Sequence, residues 1–237
     1  MNRPDILSTA RQQLSDAISN FQTPTCTPLN ISLWVGMALL QKAIRRGEER
    51  LALRAASTLL HVSPERLWRR CGCIAFEDVG VADLDTVAVV TAALSGKRYR
   101  ENLGGEWRVA SRIVSTMVHS QKCRAADDLL LAAENHPDFE DTRLAFAFRS
   151  RDDLVHIATG ADPLPIRALA TWFAIGTDRR LSPRLPSRQG DPKAIFNALC
   201  ETDIPIAAVE VTREGFRKTG EVLCPFVALL WRLQCRA

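Results

Sequence analysis

Apolar residues recur along most of the chain at the three- and four-residue spacing of an amphipathic α-helix. One clear example is the stripe formed by Leu33, Trp34, Met37, Leu40 and Ile44. Runs of alternating apolar and polar residues between turn signals, which would predict β-strands, are not repeated along the chain. The pattern therefore predicts an all-α fold, a multi-helix bundle of roughly ten to twelve helices.

Glycine, proline and polar segments divide this pattern into separate predicted helices. We expect helices over residues 4–20, 31–46, 48–61, 64–79, 83–94, 106–120, 122–134, 139–159 (one helix or two short ones), 165–175, 192–200, 206–218 and 222–233. Asn30 and Ser63 are the predicted N-caps of the second and fourth helices, and Gly47 is predicted to end the second. Residues 95–105 contain three glycines and three cations and are predicted to form a polar loop.

Composition also suggests boundaries between larger parts of the chain. The strongest signal is the segment 177–191, which has two prolines, four arginines and no sustained periodicity. We predict five parts: an N-terminal helix and linker (1–29), a helical domain (30–135), continuing helices (136–176), an Arg/Pro-rich loop or linker (177–191) and C-terminal helices (192–237).

The fourth predicted helix carries the most distinctive polar residues. Three arginines fall three and four residues apart and so share one face: Arg66, Arg69 and Arg70. Glu77 and Asp78 follow, and Gly80 is predicted to stop the helix in a left-handed conformation. The acidic pair has two interpretations: helix-end salt bridges, for instance from Glu77 to Arg70, or general acid–base or divalent-metal chemistry. We favour the structural interpretation.

The net charge of +4 is modest, but its distribution along the chain is uneven. Residues 41–70 contain eight Lys or Arg against three Glu, and residues 97–124 contain seven against two. Clustered cations favour phosphate binding. The candidate nucleic-acid-binding residues are Lys42, Arg45, Arg46, Lys97, Arg98, Arg112, Lys122 and Arg124, with Trp34, Trp68, Tyr99 and Trp107 as candidates for base stacking. The alternative is a solvated charged surface on ordinary helices, with the tryptophans in the core.

Other chemistry is weakly supported by the sequence. No phosphate-binding loop is present, because the single Gly-Lys pair lacks a glycine at the required upstream spacing. Cys71, Cys73 and His61 could form a partial zinc site, but buried thiols in an apolar stripe are the preferred interpretation. The seven cysteines include no C-x-x-C pair, and neither a secretory signal nor an apolar run of ~20 residues is apparent. We therefore expect a cytoplasmic protein with reduced thiols and no cofactor or metal.

Three stretches together carry a family resemblance. They are ALLQKAIRRGEERLAL (38–53), PERLWRRCGCIAFEDVGVADLD (64–85) and MVHSQKCRAADDLL (117–130). Their order resembles the C-terminal helical region of the replication-associated recombination AAA+ ATPases of the RarA/MgsA/Werner-interacting type. The matching residues are Lys42 and Arg45 in the first stretch, Arg69, Arg70, Glu77, Asp78 and Gly80 in the second, and Lys122 in the third.

The resemblance implies a fold like the collar of clamp-loader subunits, which drives oligomerisation, usually to a tetramer, behind an ATPase module acting at stalled replication forks. That ATPase module has no counterpart in this sequence. The resemblance also implies that the Arg-Arg and Glu-Asp pairs support one another inside the bundle. Lys42, Arg45, Arg46, Lys97, Arg98 and Arg112 then remain the better candidates for DNA contact.

The leading hypothesis is a non-enzymatic, self-associating helical protein connected with DNA replication, recombination or repair. Its expected partners are a second copy of the chain, DNA and a separate AAA+ replication or repair protein, without membrane contact. The second hypothesis is a protein-binding adaptor or antagonist of such an ATPase that makes no nucleic-acid contact. The third is an enzyme that uses Glu77 and Asp78 on a phosphodiester.

Overall fold

The computed structural model of the protein describes residues 6–177 and 188–234. Within these residues the chain forms fourteen α-helices, short π- and 3₁₀-helical segments, and no β-strand. The predicted all-α class is therefore confirmed. None of the helices in this part of the chain combines the length and apolar character that crossing a membrane requires.

The chain divides into two compact units, residues 1–123 with 214–221 and residues 124–213 with 222–237. The first unit contains α1 (Ile6–Ser19), α2 (Leu33–Arg46), α3 (Glu49–Val62), α4 (Pro64–Ile74), α5 (Leu84–Ala93), α6 (Lys97–Asn102) and α7 (Glu106–His119). The second contains α8 (Ala125–Asn135), α9 (Glu140–Ala147), α10 (Arg151–Thr159), α11 (Leu164–Ile175), α12 (Pro192–Leu199) and α14 (Cys224–Gln234). Residues of α13 (Ile206–Thr219) fall in both units.

This division differs from the predicted parts of the chain. The N-terminal helix α1 groups with α2 to α7 rather than standing apart, and α8 groups with the later helices rather than with the predicted domain 30–135. Of the predicted loop 177–191, residues 178–187 lie outside the described residues.

Helices α2 and α3 form an antiparallel hairpin in the first unit. Ser32, rather than the predicted Asn30, caps α2 by accepting a hydrogen bond from the backbone N–H of Val35. Gly47 ends α2 as predicted, in a left-handed conformation with φ of 74°. Helix α2 packs against α3, and α3 packs against α7, but Trp34 of the predicted apolar stripe is 72% exposed. Fully buried side chains from these helices form the core: Leu40, Ile44, Leu59, Ile113 and Met117.

Helix α4 ends earlier than the sequence predicts. Pro64 occupies its first turn, but the Ser63 side chain makes no capping hydrogen bond, so that predicted cap is wrong. After Ile74 the backbone continues as a π-helical segment, Ala75–Val79, and a 3₁₀ turn, Gly80–Ala82. A π-helix has a wider turn than an α-helix, and such segments are frequent at functional sites. The change in register directs Asp78 into the interior of the unit.

Two glycines allow close backbone approach around this segment. Gly80 has φ of 54°, and a Cβ atom there would lie 2.7 Å from the carbonyl oxygen of Cys123. Gly215 presents its backbone to the fully buried ring of Phe76, because a Cβ atom would lie 2.0 Å from Phe76 Cζ. The π-helical segment is therefore held by contacts that leave no room for a side chain at either position.

The predicted polar loop 95–105 is partly wrong, because residues Lys97–Asn102 form the short helix α6. Arg100 is buried and anchors this helix. Its Nε donates to Glu106 Oε1 at 2.9 Å, its Nη1 donates to the carbonyl oxygen of Ala93 at 3.2 Å, and its guanidinium lies 4.0 Å from the centre of the Trp68 ring. The helix is thus stabilised by tertiary contacts that its sequence pattern does not reveal.

In the second unit, α11 is the central element. All of its residues from 167 to 175 are buried, which is typical of a helix surrounded by others. Helices α8, α9, α10, α12 and α14 all contact it.

Candidate nucleic-acid interface

A buried polar network surrounds Asp78 in the first unit. The Asp78 side chain is 0% exposed, and its two carboxylate oxygens accept hydrogen bonds from Arg45 Nε at 2.6 Å and Gln41 Nε2 at 2.9 Å. Gln41 Oε1 in turn accepts a hydrogen bond from Arg70. Arg45 also pairs with Glu77 at 3.5 Å. A charge that is removed from water in this way needs such partners, because an unpaired buried carboxylate is strongly unfavourable.

The network joins the three stretches that carry the family resemblance. Arg45 comes from the first stretch and Asp78 from the second. The third contributes the backbone N–H of Cys123, which donates to the carbonyl oxygen of Asp78 at 2.9 Å. Lys122 lies near enough that Asp78 and Asp83 favour its charged form, although burial lowers its pKa overall. Gln41 and Cys123, which are 82 positions apart in sequence, therefore both contact Asp78, one at its side chain and one at its backbone.

Sequence reasoning identified Arg45, Arg70, Glu77 and Asp78 but missed Gln41, which links Arg70 to the carboxylate. The sequence does contain a sign of this role. Gln41 is a polar residue placed among the apolar positions of α2, between Leu40 and Ile44, and a polar residue on a buried helix face needs a hydrogen-bond partner. Arg69 was expected to share this internal role, but its side chain is exposed on α4.

The predicted nucleic-acid-binding residues separate into two groups. Four are exposed in the first unit: Lys42, Arg46, Lys97 and Arg98. The other four contact protein groups: Arg45 in the Asp78 network, Arg112 at 5.5 Å from the Phe21 ring centre, Lys122 on the carbonyl oxygens of Val118 and Ser120, and Arg124 on the carboxylate of Asp127 in the second unit.

The two compact units differ in net charge. The first unit has eighteen Lys or Arg against thirteen Asp or Glu, and the second has thirteen against fourteen. The net charge of the protein is thus about +5 in the first unit and about −1 in the second, by formal count of side chains. The positive net charge of the protein therefore lies in the first unit.

The four candidate stacking residues differ in exposure, and Trp34 is the one that is largely exposed. Trp68 is buried, Trp107 Nε1 donates to the carbonyl oxygen of Pro24 at 2.9 Å, and the Tyr99 hydroxyl donates to that of Arg11 at 3.3 Å. Trp34, by contrast, is 72% exposed at the start of α2.

Trp34 lies at a groove between α2 and α4. The groove has a volume of about 580 Å³, and its lining includes Met37 from α2 and Arg66, Arg69 and Arg70 from α4. The Arg66 guanidinium lies 5.6 Å from the centre of the Trp34 ring, within the range of a cation–π contact. Glu65 and Glu221 also line the groove, so its charge is mixed with an excess of arginine.

The cysteines of α4 are buried thiols rather than exposed ligands. Burial raises the pKa of Cys71 to about 12, and burial together with a hydrogen bond to Glu221 raises that of Cys73 to about 12. His61, the third member of the hypothetical zinc site, is exposed at the end of α3. Within residues 6–177 and 188–234, no three or more His, Cys, Asp or Glu side chains are grouped so that they could hold a metal ion.

We expect Cys71 and Cys73 to resist alkylation by iodoacetamide at pH 8 in the folded protein, because the reactive thiolate is almost absent when the pKa is about 12. Peptide mapping by mass spectrometry after a short pulse measures this directly. In guanidinium chloride both thiols regain an ordinary pKa and solvent access, so both should be labelled. Rapid labelling of either cysteine in the native protein would contradict the burial of that side chain.

The geometry disfavours the hypothesis of a phosphodiesterase that uses Glu77 and Asp78. A general base or metal ligand must reach substrate, whereas Asp78 has no solvent exposure and both of its carboxylate oxygens are engaged. Glu77 retains some exposure but is paired with Arg45.

The fold and this region together define the class: an all-helical protein with a buried Arg–Gln–Asp network and a basic first unit. Comparison of the chain with protein families, curated proteins and solved structures found no match.

Proposed function

We propose that this protein is a non-enzymatic helical module that binds DNA through its first unit and acts in replication, recombination or repair. The observation that carries the proposal is the concentration of positive charge in that unit. The acidic residues Glu77 and Asp78 are compensated internally by Arg45, while Lys42 and Arg46 on α2 and the pair Lys97–Arg98 on α6 stay exposed to solvent. Exposed cations with a net positive field are what phosphate binding requires.

We also propose that the module is related to the clamp-loader collar and self-associates, with a tetramer as the expected state. The support is that residues from all three resembling stretches meet around Asp78. Contact between them is expected if the three stretches belong to one structural motif. Light scattering of the purified chain tests this part of the proposal. A discrete oligomer supports it, and a monomer at all accessible concentrations contradicts it.

We expect the double substitution Lys42→Ala and Arg46→Ala to weaken binding of a DNA duplex and to reduce its salt dependence. Each phosphate contact contributes a slope of about −0.9 to the plot of log K against log salt concentration, so loss of two contacts should reduce the slope by about 2. Fluorescence anisotropy with a labelled duplex between 50 and 200 mM salt, roughly the range over which such effects are large, measures both quantities.

The matched control is Lys193→Ala, which removes an exposed cation from the second unit. It should leave the affinity and the slope almost unchanged. If the control and the double variant behave alike, Lys42 and Arg46 are not part of the interface. If the wild-type chain fails to bind DNA at low salt, the proposed function itself is wrong.

One observation favours a second candidate, a protein-binding adaptor of an AAA+ replication or repair protein. Leu144 on α9 and Phe148, the residue directly after that helix, are 45% and 79% exposed. Exposed large apolar side chains that form a continuous patch mark protein-binding surfaces. This candidate gains support if the chain proves indifferent to DNA and if Phe148→Ala abolishes its co-purification with such an ATPase.

A further inference from the structure

We propose that Trp34 stacks on an unpaired base and that Arg66 and Arg69 bind the neighbouring phosphates, so that the first unit prefers single-stranded to duplex DNA. This inference rests on the proposed function, that the first unit binds DNA, and assigns the groove between α2 and α4 a specific role in it.

The position of Trp34 is suited to stacking. Its ring is largely solvent-exposed on the first turn of α2, where it is not needed to fill the core. Of the four candidate rings, Trp34 offers by far the most exposed surface, because Trp68 is buried and Tyr99 and Trp107 are half-buried and hydrogen-bonded to backbone carbonyls. Stacking on an aromatic ring tolerates any sequence, because every base has a π-face.

The arginines of α4 supply the electrostatic part of the site. Arg66 and Arg69 are three residues apart, are both exposed, and line the same groove as Trp34. Arg66 lies over one face of the Trp34 ring, 5.6 Å from its centre, while Trp34 as a whole is 72% exposed, so a base stacked on the ring would have this guanidinium nearby for an adjoining phosphate. Met37 adds an apolar surface beside the ring.

The two carboxylates of the groove are compatible with a nucleic-acid strand. Glu221 accepts a hydrogen bond from the Cys73 thiol, which occupies part of its capacity. A carboxylate such as Glu65 can accept a hydrogen bond from the exocyclic amino group of cytosine. Thymine lacks this group, so an oligo-dT probe reports stacking and phosphate contacts alone. The net charge of about +5 on the first unit favours a polyanion over a neutral or basic partner.

A preference for single strands follows from the stacking requirement. In a duplex the faces of the bases are covered by their neighbours, and Trp34 could reach them only by unstacking the helix, which is unfavourable. Surface cations such as Lys42 and Arg46 bind phosphates of either form. Substitution of Trp34 should therefore weaken the affinity for single-stranded DNA more than the affinity for duplex DNA. Substitution of Lys42 or Arg46 should weaken both affinities.

The test compares a fluorescein-labelled oligo-dT with a duplex of equal length, by anisotropy at low salt, using the full chain. We expect Trp34→Ala to raise the Kd for oligo-dT about tenfold while the Kd for the duplex changes less than about twofold. Trp34→Phe, which retains an aromatic face, should restore most of the affinity for oligo-dT. Phe148→Ala is the matched control, because it removes an equally exposed aromatic ring from the second unit and should change neither Kd.

The possible outcomes are distinct. Equal weakening of both DNA forms by Trp34→Ala, or no effect on either, overturns the stacking inference while leaving DNA binding by the first unit intact. A change of oligomeric state in Trp34→Ala, measured by light scattering, also overturns it and assigns Trp34 to a self-association surface. Failure of the wild-type chain to bind either form contradicts the proposed function, and the inference with it.

Discussion

Replacing Asp78 with alanine is expected to lower the free energy of unfolding by about 3 kcal/mol, because the substitution removes one partner from a buried ion pair. The Gln41 amide loses its acceptor in a buried position, and the Arg45 guanidinium, whose side chain is 34% exposed, keeps Glu77 but loses the closer of its two carboxylate partners. A donor left unpaired in such a place retains the full cost of its removal from water. Urea unfolding followed by far-UV circular dichroism measures the loss.

Two controls separate the network from general effects of substitution. Asp78→Asn retains the size of the side chain and one acceptor oxygen, so its loss should be smaller than that of alanine. Asp85→Ala removes an exposed carboxylate from the first turn of α5 and should change stability by no more than about 0.5 kcal/mol. If Asp78→Ala resembles Asp85→Ala, the Asp78 network does not stabilise the first unit.

Replacing Gly80 with alanine is expected to cost about 3 kcal/mol, from two additive causes. The backbone at Gly80 has a positive φ, which a residue with a Cβ atom rarely adopts. The added Cβ would also lie 2.7 Å from the carbonyl oxygen of Cys123, a backbone atom that cannot rotate away. The same urea titration measures this loss.

Gly47→Ala is the comparison for a positive φ without crowding, because a Cβ atom there would meet nothing within 4 Å. Gly47 lies in the left-handed α region (φ 74°, ψ 20°), whereas Gly80 (φ 54°, ψ −136°) lies in a region that residues with a Cβ atom adopt more rarely, so part of any extra loss at Gly80 is backbone strain. Gly47→Ala should therefore show only the backbone cost, about 1 kcal/mol. Equal losses for Gly80→Ala and Gly47→Ala would mean that the approach to Cys123 is relaxed in solution.

Most helices could be predicted because apolar spacing is a local property. The stripe of α2 and its end at Gly47 depend on residues within one or two helical turns. Helix α6 could not be predicted in this way, since it is short and mostly polar. It depends on Arg100, whose guanidinium is buried against Ala93, Glu106 and Trp68.

The π-helical segment Ala75–Val79 could not be predicted from apolar spacing either. Its sequence continues the helical spacing of α4, and nothing local distinguishes a wider turn from an ordinary one. What favours it is the environment: partners for Asp78 on α2, and the backbones of Cys123 and Gly215 packed against its ends.

For the candidate site, the sequence supplied the residues but not their roles. Arg45 and Lys42 lie three residues apart in one predicted basic cluster, yet one holds a buried carboxylate and the other is exposed. Trp34 was counted both as a core residue of α2 and as one of four stacking candidates. Its exposure became clear only from the packing of α3 and α4 around α2.

The amino-acid sequence by itself determined that this protein is helical, where most of its helices lie, and which stretches concentrate its positive charge. These properties follow from residue types and spacings within a few turns of chain. Only the tertiary structure decided which charges are neutralised internally and which remain at the surface. Asp78 is compensated by Gln41 and Arg45, which lie 37 and 33 positions away in the sequence. Burial and pairing of this kind depend on residues brought together by folding, and no local pattern records them.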